Sequence, residues 1–276
     1  MAGVCYISPV GTSLLSNFSR LFGSRYLSRY SDFGEWHRLS PSDERNVFPH
    51  GSVCSALSDG ELVNDLIGFV VGQRERSCAE VNGVLGIQRV FGHRFDDVEI
   101  VLLYTKTCTA ALVSNVLVKA FQELGFPKPV AIELSRIGSV EEFDNGLVEL
   151  LDKISSIIQE RRLRGMRIYI NATPGFKAES AFVVLASMLM GVDAAIYIHE
   201  SFDYPVVIPS LPIAIRRDEI EPLLKVFGEE SSIHINAFVS ALGYSKLREY
   251  IDKGVVVIRG EEVVLRPWIK HLVKKS

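Results

Sequence analysis

Five short apolar runs recur along this chain with helical segments between them, and that alternation limits the fold more than any other feature. They are VCYIS (Val4 to Ser8), VEIVLLY (Val98 to Tyr104), VAIEL (Val130 to Leu134), RIYINA (Arg167 to Ala172) and AAIYIH (Ala194 to His199). Each is five to seven residues of mostly β-branched or aromatic character, the length and chemistry of a buried strand. The segment from Ala110 to Leu124 places Leu112, Val113, Val116, Leu117, Ala120 and Phe121 on one helical face, and Val140 to Arg164 and Phe176 to Met190 have the same period. Strand, helix, strand in repetition builds right-handed βαβ crossovers and a mostly parallel sheet, a Rossmann-like α/β domain. Such strands are buried on both faces, which accounts for a mean hydropathy of +0.20.

Two segments depart from the plan. Residues 23–97 are rich in Ser, Arg and Gly and are expected to form short helices inserted after the first strand and helix. Pro205, Pro209 and Pro212 then close a domain of residues 1–215. Residues 216–276 read as three small helices, DEIEPLLKVFG, INAFVSALG and YSKLREYIDKG. A β-hairpin in VVVIRGEEVVLRP, turning at Arg259-Gly260, and a short basic tail follow. Three helices and a hairpin are the pattern of a winged helix-turn-helix.

Composition removes several classes of function. The chain of 276 residues carries 30 Lys+Arg against 33 Asp+Glu, a net charge of −3. That balance argues against a protein that coats nucleic acid through a global positive field. The C-terminal segment holds eleven Lys and Arg against nine Asp and Glu, weakly charged for a DNA reader, so DNA binding there is possible but not favoured over packing or dimerisation. The most apolar stretch, Ala181 to Val192, stops at Asp193 and is too short to span a bilayer. No secretory signal opens the chain. Cys5, Cys54, Cys78 and Cys108 form no C-x-x-C pair and the six histidines are scattered. Neither a disulfide framework nor a structural metal is expected, and the chain reads as cytoplasmic.

In an open α/β sheet, ligands bind beyond the carboxyl ends of the strands, and two loops there draw attention. SPVGTSLLSN (Ser8 to Asn17) follows the first strand. Gly11 lets the backbone approach a ligand, Thr12 and Ser13 supply hydroxyl and capping groups, and the amides opening the next helix can bind an anion. A plain capped helix start explains the loop equally well. NATPGFKAES (Asn171 to Ser180) follows the RIYI strand and puts Lys177 in a first helical turn, where the macrodipole disfavours a cation. Alone, Lys177 reads as a solvated surface lysine. Together the loops favour an oligophosphate site, while the spacings of a P-loop and of a dinucleotide fingerprint are both absent.

GTSLL-x-N after the first strand and N-x-T-x-G-F-K-x-E after a later one resemble the CRISPR-associated Rossmann fold, or CARF, domain. The resemblance is closest to the archaeal branch that includes the ring nucleases. CAEVNGVL (Cys78 to Leu85), VLLYTKT (Val101 to Thr107) and VEEFDNGLVELLDKI (Val140 to Ile154) agree with it, over residues 1–215. Pro174 stands where the lysine motif often has a second glycine. The resemblance implies a homodimer that binds cyclic tetra-adenylate across its two-fold axis. It also implies metal-independent cleavage, by attack of a ribose 2′-hydroxyl on the adjacent phosphate to leave a 2′,3′-cyclic phosphate. Lys177 and Ser13 are then the catalytic residues. Ser8, Val10, Gly11, Thr12, Asn17, Thr105, Lys106, Asn171, Thr173, Gly175 and Phe176 are the ligand-binding ones, and no metal or cofactor is required.

Two other readings stay beside this one. A non-enzymatic sensor would bind the same ring and pass the signal to DNA through the C-terminal segment. A HEPN ribonuclease is suggested by R-x4-H in RPWIKH (Arg266 to His271), yet some 60 residues with a hairpin leave no room for its long helices. Tyr26, Tyr30 and Trp36 of the insertion read as core before they read as adenine-stacking groups. Glu133 and Glu179 read equally as salt-bridge partners or general bases.

Overall fold

A computed structural model describes residues 3–135, 140–175, 177–199, 204–211 and 214–275, with the side chains of 140–143, 177–179 and 274–275 outside the description. The expected runs form β1 (Val4–Pro9), β2 (Val98–Thr105), β3 (Lys128–Leu134), β4 (Arg167–Asn171) and β5 (Ala194–Tyr197). With β6 (Val206–Pro209) they build one sheet in the order β3-β2-β1-β4-β5-β6. The first five strands are parallel. β6 pairs antiparallel with β5, where only the end of a domain was expected. Pro209 is compatible with it because β6 is an edge strand, where a missing N–H need not break a ladder.

The central strands of the sheet are buried on both faces, while the edge strands β3 and β6 are more exposed, and alternate residues of the central strands serve different layers. Val4 and Tyr6 of β1 and Ile100 and Leu102 of β2 join one core. Cys5, Ile7, Val101 and Leu103 join the other. The first layer contains α1 (Ser13–Phe22), α2 (Gly60–Gln73), α3 (Ala79–Phe91) and α4 (Cys108–Glu123); the second contains α5 (Val140–Leu163) and α6 (Lys177–Leu189). This is the Rossmann-like α/β fold the pattern predicts. The chain reverses its direction of travel between β1 and β4, so this pair forms the switch point where such sheets hold ligands.

The insertion is less regular than a set of short helices. Four 3₁₀ turns precede α2 and a fifth, Arg74–Arg76, joins it to α3. Tyr26, Phe33 and Trp36 are buried with Phe18 of α1, and the Phe33 and Trp36 rings meet edge-on at 4.8 Å. The core reading of these aromatics is the one the packing supports. A correction concerns the cysteines. Cys54 and Cys108 are joined in a disulfide, with Cα atoms 4.7 Å apart. The 3₁₀ segment Ser52–Ser58 lies across the start of α4 and brings together two residues whose separation in sequence gave no hint of pairing. Cys5 and Cys78 are free and buried.

The C-terminal segment contains α7 (Arg217–Phe227), β7 (Ser232–His234), α8 (Ile235–Leu242), α9 (Tyr244–Asp252), β8 (Val256–Arg259), β9 (Glu262–Leu265) and α10 (Pro267–Lys275). β7 adds a third strand beside the hairpin, in the order β7-β9-β8. The expected basic tail is the helix α10, because Trp268 and Ile269 give it an apolar face. Leu223, Phe227, Phe238, Leu247, Tyr250 and Val263 form a separate small core. Trp268 bridges it to the larger domain and meets Phe182 of α6 edge-on at 6.1 Å. Arg266 pairs with Asp144 of α5 at 2.7 Å, and His271 lies 3.4 Å from Asp152. Both residues of the R-x4-H motif are thus held against α5. Among the described residues no helix is long and apolar enough to cross a membrane.

Candidate functional site

A cavity of about 1200 Å³ opens at the carboxyl ends of β1 and β4. Its floor is the meeting of two loops. β1 ends at Pro9, and the Val10 amide still donates to Leu103 O at 2.8 Å, so the chain leaves the sheet in a fixed direction. The Gly11 to Ser13 turn then passes against Gly175. A Cβ on Gly11 would lie 3.3 Å from the Gly175 amide nitrogen, and Gly175 itself has φ +97 with its Cα hydrogen facing Pro9 and Ser180. Both glycines are required, one by the close approach and one also by a backbone conformation that side chains rarely adopt.

Asn171 fixes the second loop from below. It is fully buried. Its Nδ2 donates to Ser8 Oγ at 3.0 Å and to the Glu80 carbonyl at 3.2 Å, and its Oδ1 accepts from the Thr173 amide at 3.1 Å. The amide rests on α3 where Gly83 offers no side chain; a Cβ there would fall within the Asn171 amide group. Thr173 Oγ1 accepts from the Ile198 amide at 3.1 Å, and Ser180 Oγ donates to Pro174 O at 2.7 Å. Thr173 therefore ties the loop to the end of β5 rather than capping α6.

The first loop is held by a residue that sequence reasoning left without a role. Glu80 is fully buried in the first turn of α3, at the wall of the cavity. The Gly11 amide donates to its Oε1 at 2.6 Å. Ser13 Oγ lies 3.4 Å from its Oε2 and accepts from the Ala79 amide at 3.0 Å. Burial raises the Glu80 carboxyl above its usual range, opposed by the Gly11 hydrogen bond and, less, by Ser13. The Gly11 amide, expected to face an anion, is already given to this carboxylate. Glu80 falls inside the CAEVNGVL stretch, and glycines three and six residues after a first-turn glutamate were the one available sign of a helix pressed against another backbone.

The expected site residues divide into four groups. Val10, Gly11, Thr12, Ser13, Asn17, Thr105, Thr173 and Gly175 line the cavity, together with Arg20, His37, Arg76 and His199. Ser8 and Asn171 lie beneath it, buried and bonded to one another, and shape the loops. Lys106 pairs with Glu133 at 3.1 Å, both partly exposed, and neither is among the residues that line the cavity. Thr12 Oγ1 donates to His37 O at 2.9 Å and Asn17 Nδ2 to Ser77 O at 3.0 Å. α1 begins without a side-chain cap, so the capping role expected of Thr12 and Ser13 is not taken up there. Phe176 and the side chains of Lys177 and Glu179 lie outside the described residues; Lys177 is the first residue of α6, directly after the Gly175 loop. Among the described residues no group of three or more His, Cys, Asp or Glu side chains is placed to hold a metal ion.

Residues 75–211, about half of the chain, match the family model described as CRISPR-associated protein (Cas_APE2256). The match runs from Glu75 at the cavity rim through β2, β4 and the lysine loop to the end of β6. A six-stranded Rossmann-like sheet, a cavity at its switch point and this match together place the chain among the CRISPR-associated proteins of CARF type, a family tied to type III CRISPR.

Proposed function

We propose that the protein is a ring nuclease, which binds cyclic tetra-adenylate and cleaves it slowly to end type III CRISPR signalling. The supporting observation is the pair of glycine loops from β1 and β4 that meet at the floor of one cavity. At about 1200 Å³ on a single chain, this space exceeds what a mononucleotide needs. Two copies facing across a two-fold axis would match the symmetry of a four-membered ring.

The chemistry follows from position and charge. Lys177 of each protomer opens α6 beside the Gly175 loop and neutralises the charge that develops on the five-coordinate phosphorus. Ser13 aligns the attacking 2′-hydroxyl with the phosphorus. Positioning and electrostatics supply most of the rate, so turnover is slow. Slow removal suits a signal terminator, which must leave the messenger time to act. Lys177→Ala tests the assignment. It should abolish cleavage while leaving the melting temperature within a few degrees of the parent, and cleavage at the parental rate would remove Lys177 from the mechanism.

One observation favours the sensor as a second reading. α6 begins at the lysine loop and carries Phe182 against Trp268 of α10, which links the site to the C-terminal segment. A ring that moves α6 would move the winged-helix candidate with it. This reading requires bound but intact ring and a change in DNA affinity on binding.

A further inference from the structure

Ser13 sits between the cavity and the Glu80 carboxylate, and its hydrogen-bonding capacity restricts what it can do for a ligand. A hydroxyl has one hydrogen and two lone pairs. One lone pair of Ser13 Oγ accepts from the Ala79 amide at 3.0 Å, and its hydrogen is directed to Glu80 Oε2 at 3.4 Å, a separation able to tighten when a ligand fills the site. The remaining lone pair can accept but has nothing to donate. Ionised phosphate oxygens only accept, so they gain nothing from Ser13 in this state. A ribose hydroxyl is the part of a nucleotide that can donate to it. The carboxylate cannot swing away, because its other oxygen is held by the Gly11 amide at 2.6 Å.

We propose that Glu80 is the positioning residue and final proton acceptor of this site, working through Ser13. The inference rests on the ring-nuclease reading and deepens it. As the ribose 2′-oxygen bonds to phosphorus, the bond from phosphorus to the 5′-oxygen breaks and the departing oxygen takes a proton from water. The 2′-hydroxyl proton passes to Ser13 Oγ while the Ser13 proton passes to Glu80 Oε2, and Glu80 later returns it to solvent. Burial favours the protonated carboxyl, which suits a group that must receive a proton near neutrality. Among the described residues, the other charged or titratable groups around the carboxylate and cavity are the Cys78 thiol, Arg20, His37, Glu75, Arg76, Tyr197 and His199. The Ser13 Oγ hydrogen bonds run to Glu80 and from the Ala79 amide.

Four enzymes and two rings test the proposal: the parent, Glu80→Gln, Ser13→Ala and the double variant, with cyclic tetra-adenylate and its 2′-deoxy analogue. Binding is read by calorimetry, and cleavage as single-turnover rates from pH 5 to 9 in EDTA. Glu80→Gln should bind the natural ring within about threefold of the parent yet cleave it at least about 10²-fold more slowly. It should also lack the acid limb of the parental pH profile. Combining it with Ser13→Ala should slow cleavage no further than Ser13→Ala does, since the two residues act as one unit. Cleavage by Glu80→Gln within about threefold of the parent, or effects that multiply in the double variant, would overturn the relay.

The binding arm separates this inference from the reading beneath it. If the parent binds the ring but leaves it intact, the nuclease reading fails and the Ser13–Glu80 wiring is judged by binding alone. The parent should then prefer the ring with 2′-hydroxyls about fivefold, the worth of one hydrogen bond, and Glu80→Gln should erase that preference. Equal preference in both proteins overturns the wiring. Failure of the parent to bind either ring overturns both.

Discussion

Gly83→Ala adds one methyl group in the middle of α3, and its expected effect runs against the usual effect of that change in a helix. Alanine ordinarily stabilises a helix interior by about 1 kcal/mol over glycine. Here the new Cβ would fall within the amide of Asn171, which would have to move. That amide makes three buried hydrogen bonds, to Ser8 Oγ, to the Glu80 carbonyl and from the Thr173 amide. At a net worth of about 1 kcal/mol each, their loss costs about 3 kcal/mol, leaving a net destabilisation of roughly 2 kcal/mol. In a chain of this size that corresponds to a fall of roughly 4 to 8 °C in melting temperature. Differential scanning calorimetry on the parent, Gly83→Ala, Asn171→Ala and the double variant reads it. The double variant should be about 1 kcal/mol more stable than Asn171→Ala alone, because the clash needs both partners and the helical gain of alanine remains. A Gly83→Ala protein as stable as the parent, or more stable, would refute the packing of Asn171 on α3 and with it the account of how the lysine loop is held.

Further outcomes follow from other parts of the molecule. Reducing the Cys54–Cys108 disulfide, which closes a loop of 54 residues, should cost up to about 4 kcal/mol and lower the melting temperature in dithiothreitol; identical melts with and without reductant would contradict the pairing. The Glu80 carboxyl is raised in the folded chain, so its contribution to stability is fully present below its ordinary value near 4.5 and is lost as pH rises through the raised value. Stability of Glu80→Gln relative to the parent should therefore grow from pH 4 to 8 in urea titrations, and a falling difference would reverse the sign of the shift. Arg266→Ala removes the half-buried ion pair with Asp144 and should expose the segment before α10 to limited proteolysis, whereas an unchanged digestion pattern would show that Trp268 alone holds the C-terminal segment in place.

The sheet was legible because its signal is local. Each strand is a run of four to eight mostly apolar residues, most continuous in β1, β2 and β4 where both faces are buried, and β1 to β5 lie where those runs are. β6 was missed because Val206 to Ile208 is a brief run enclosed by prolines, and its pairing depends on an edge that exists only once β5 is in place. α10 was missed for a similar reason. Its apolar residues, Trp268 and Ile269, look like part of a charged tail until α6 and the small C-terminal core supply the surfaces they cover. The two cavity loops were legible from Gly11 and from the Asn171 to Gly175 motif, because glycine after a strand has a local meaning. Glu80 had none. A glutamate in a first helical turn is ordinary, and its role arises only when residues 69 positions apart meet at the Gly11 amide. The Cys54–Cys108 contact is of the same kind, a consequence of packing between distant segments.

The central claim is that the cavity between β1 and β4 both holds and opens a cyclic oligonucleotide. Incubating purified protein with labelled cyclic tetra-adenylate in EDTA, and resolving the products by chromatography and mass spectrometry, tests it most directly. The account predicts slow conversion to linear fragments ending in a 2′,3′-cyclic phosphate. Ring recovered intact after many hours would contradict it.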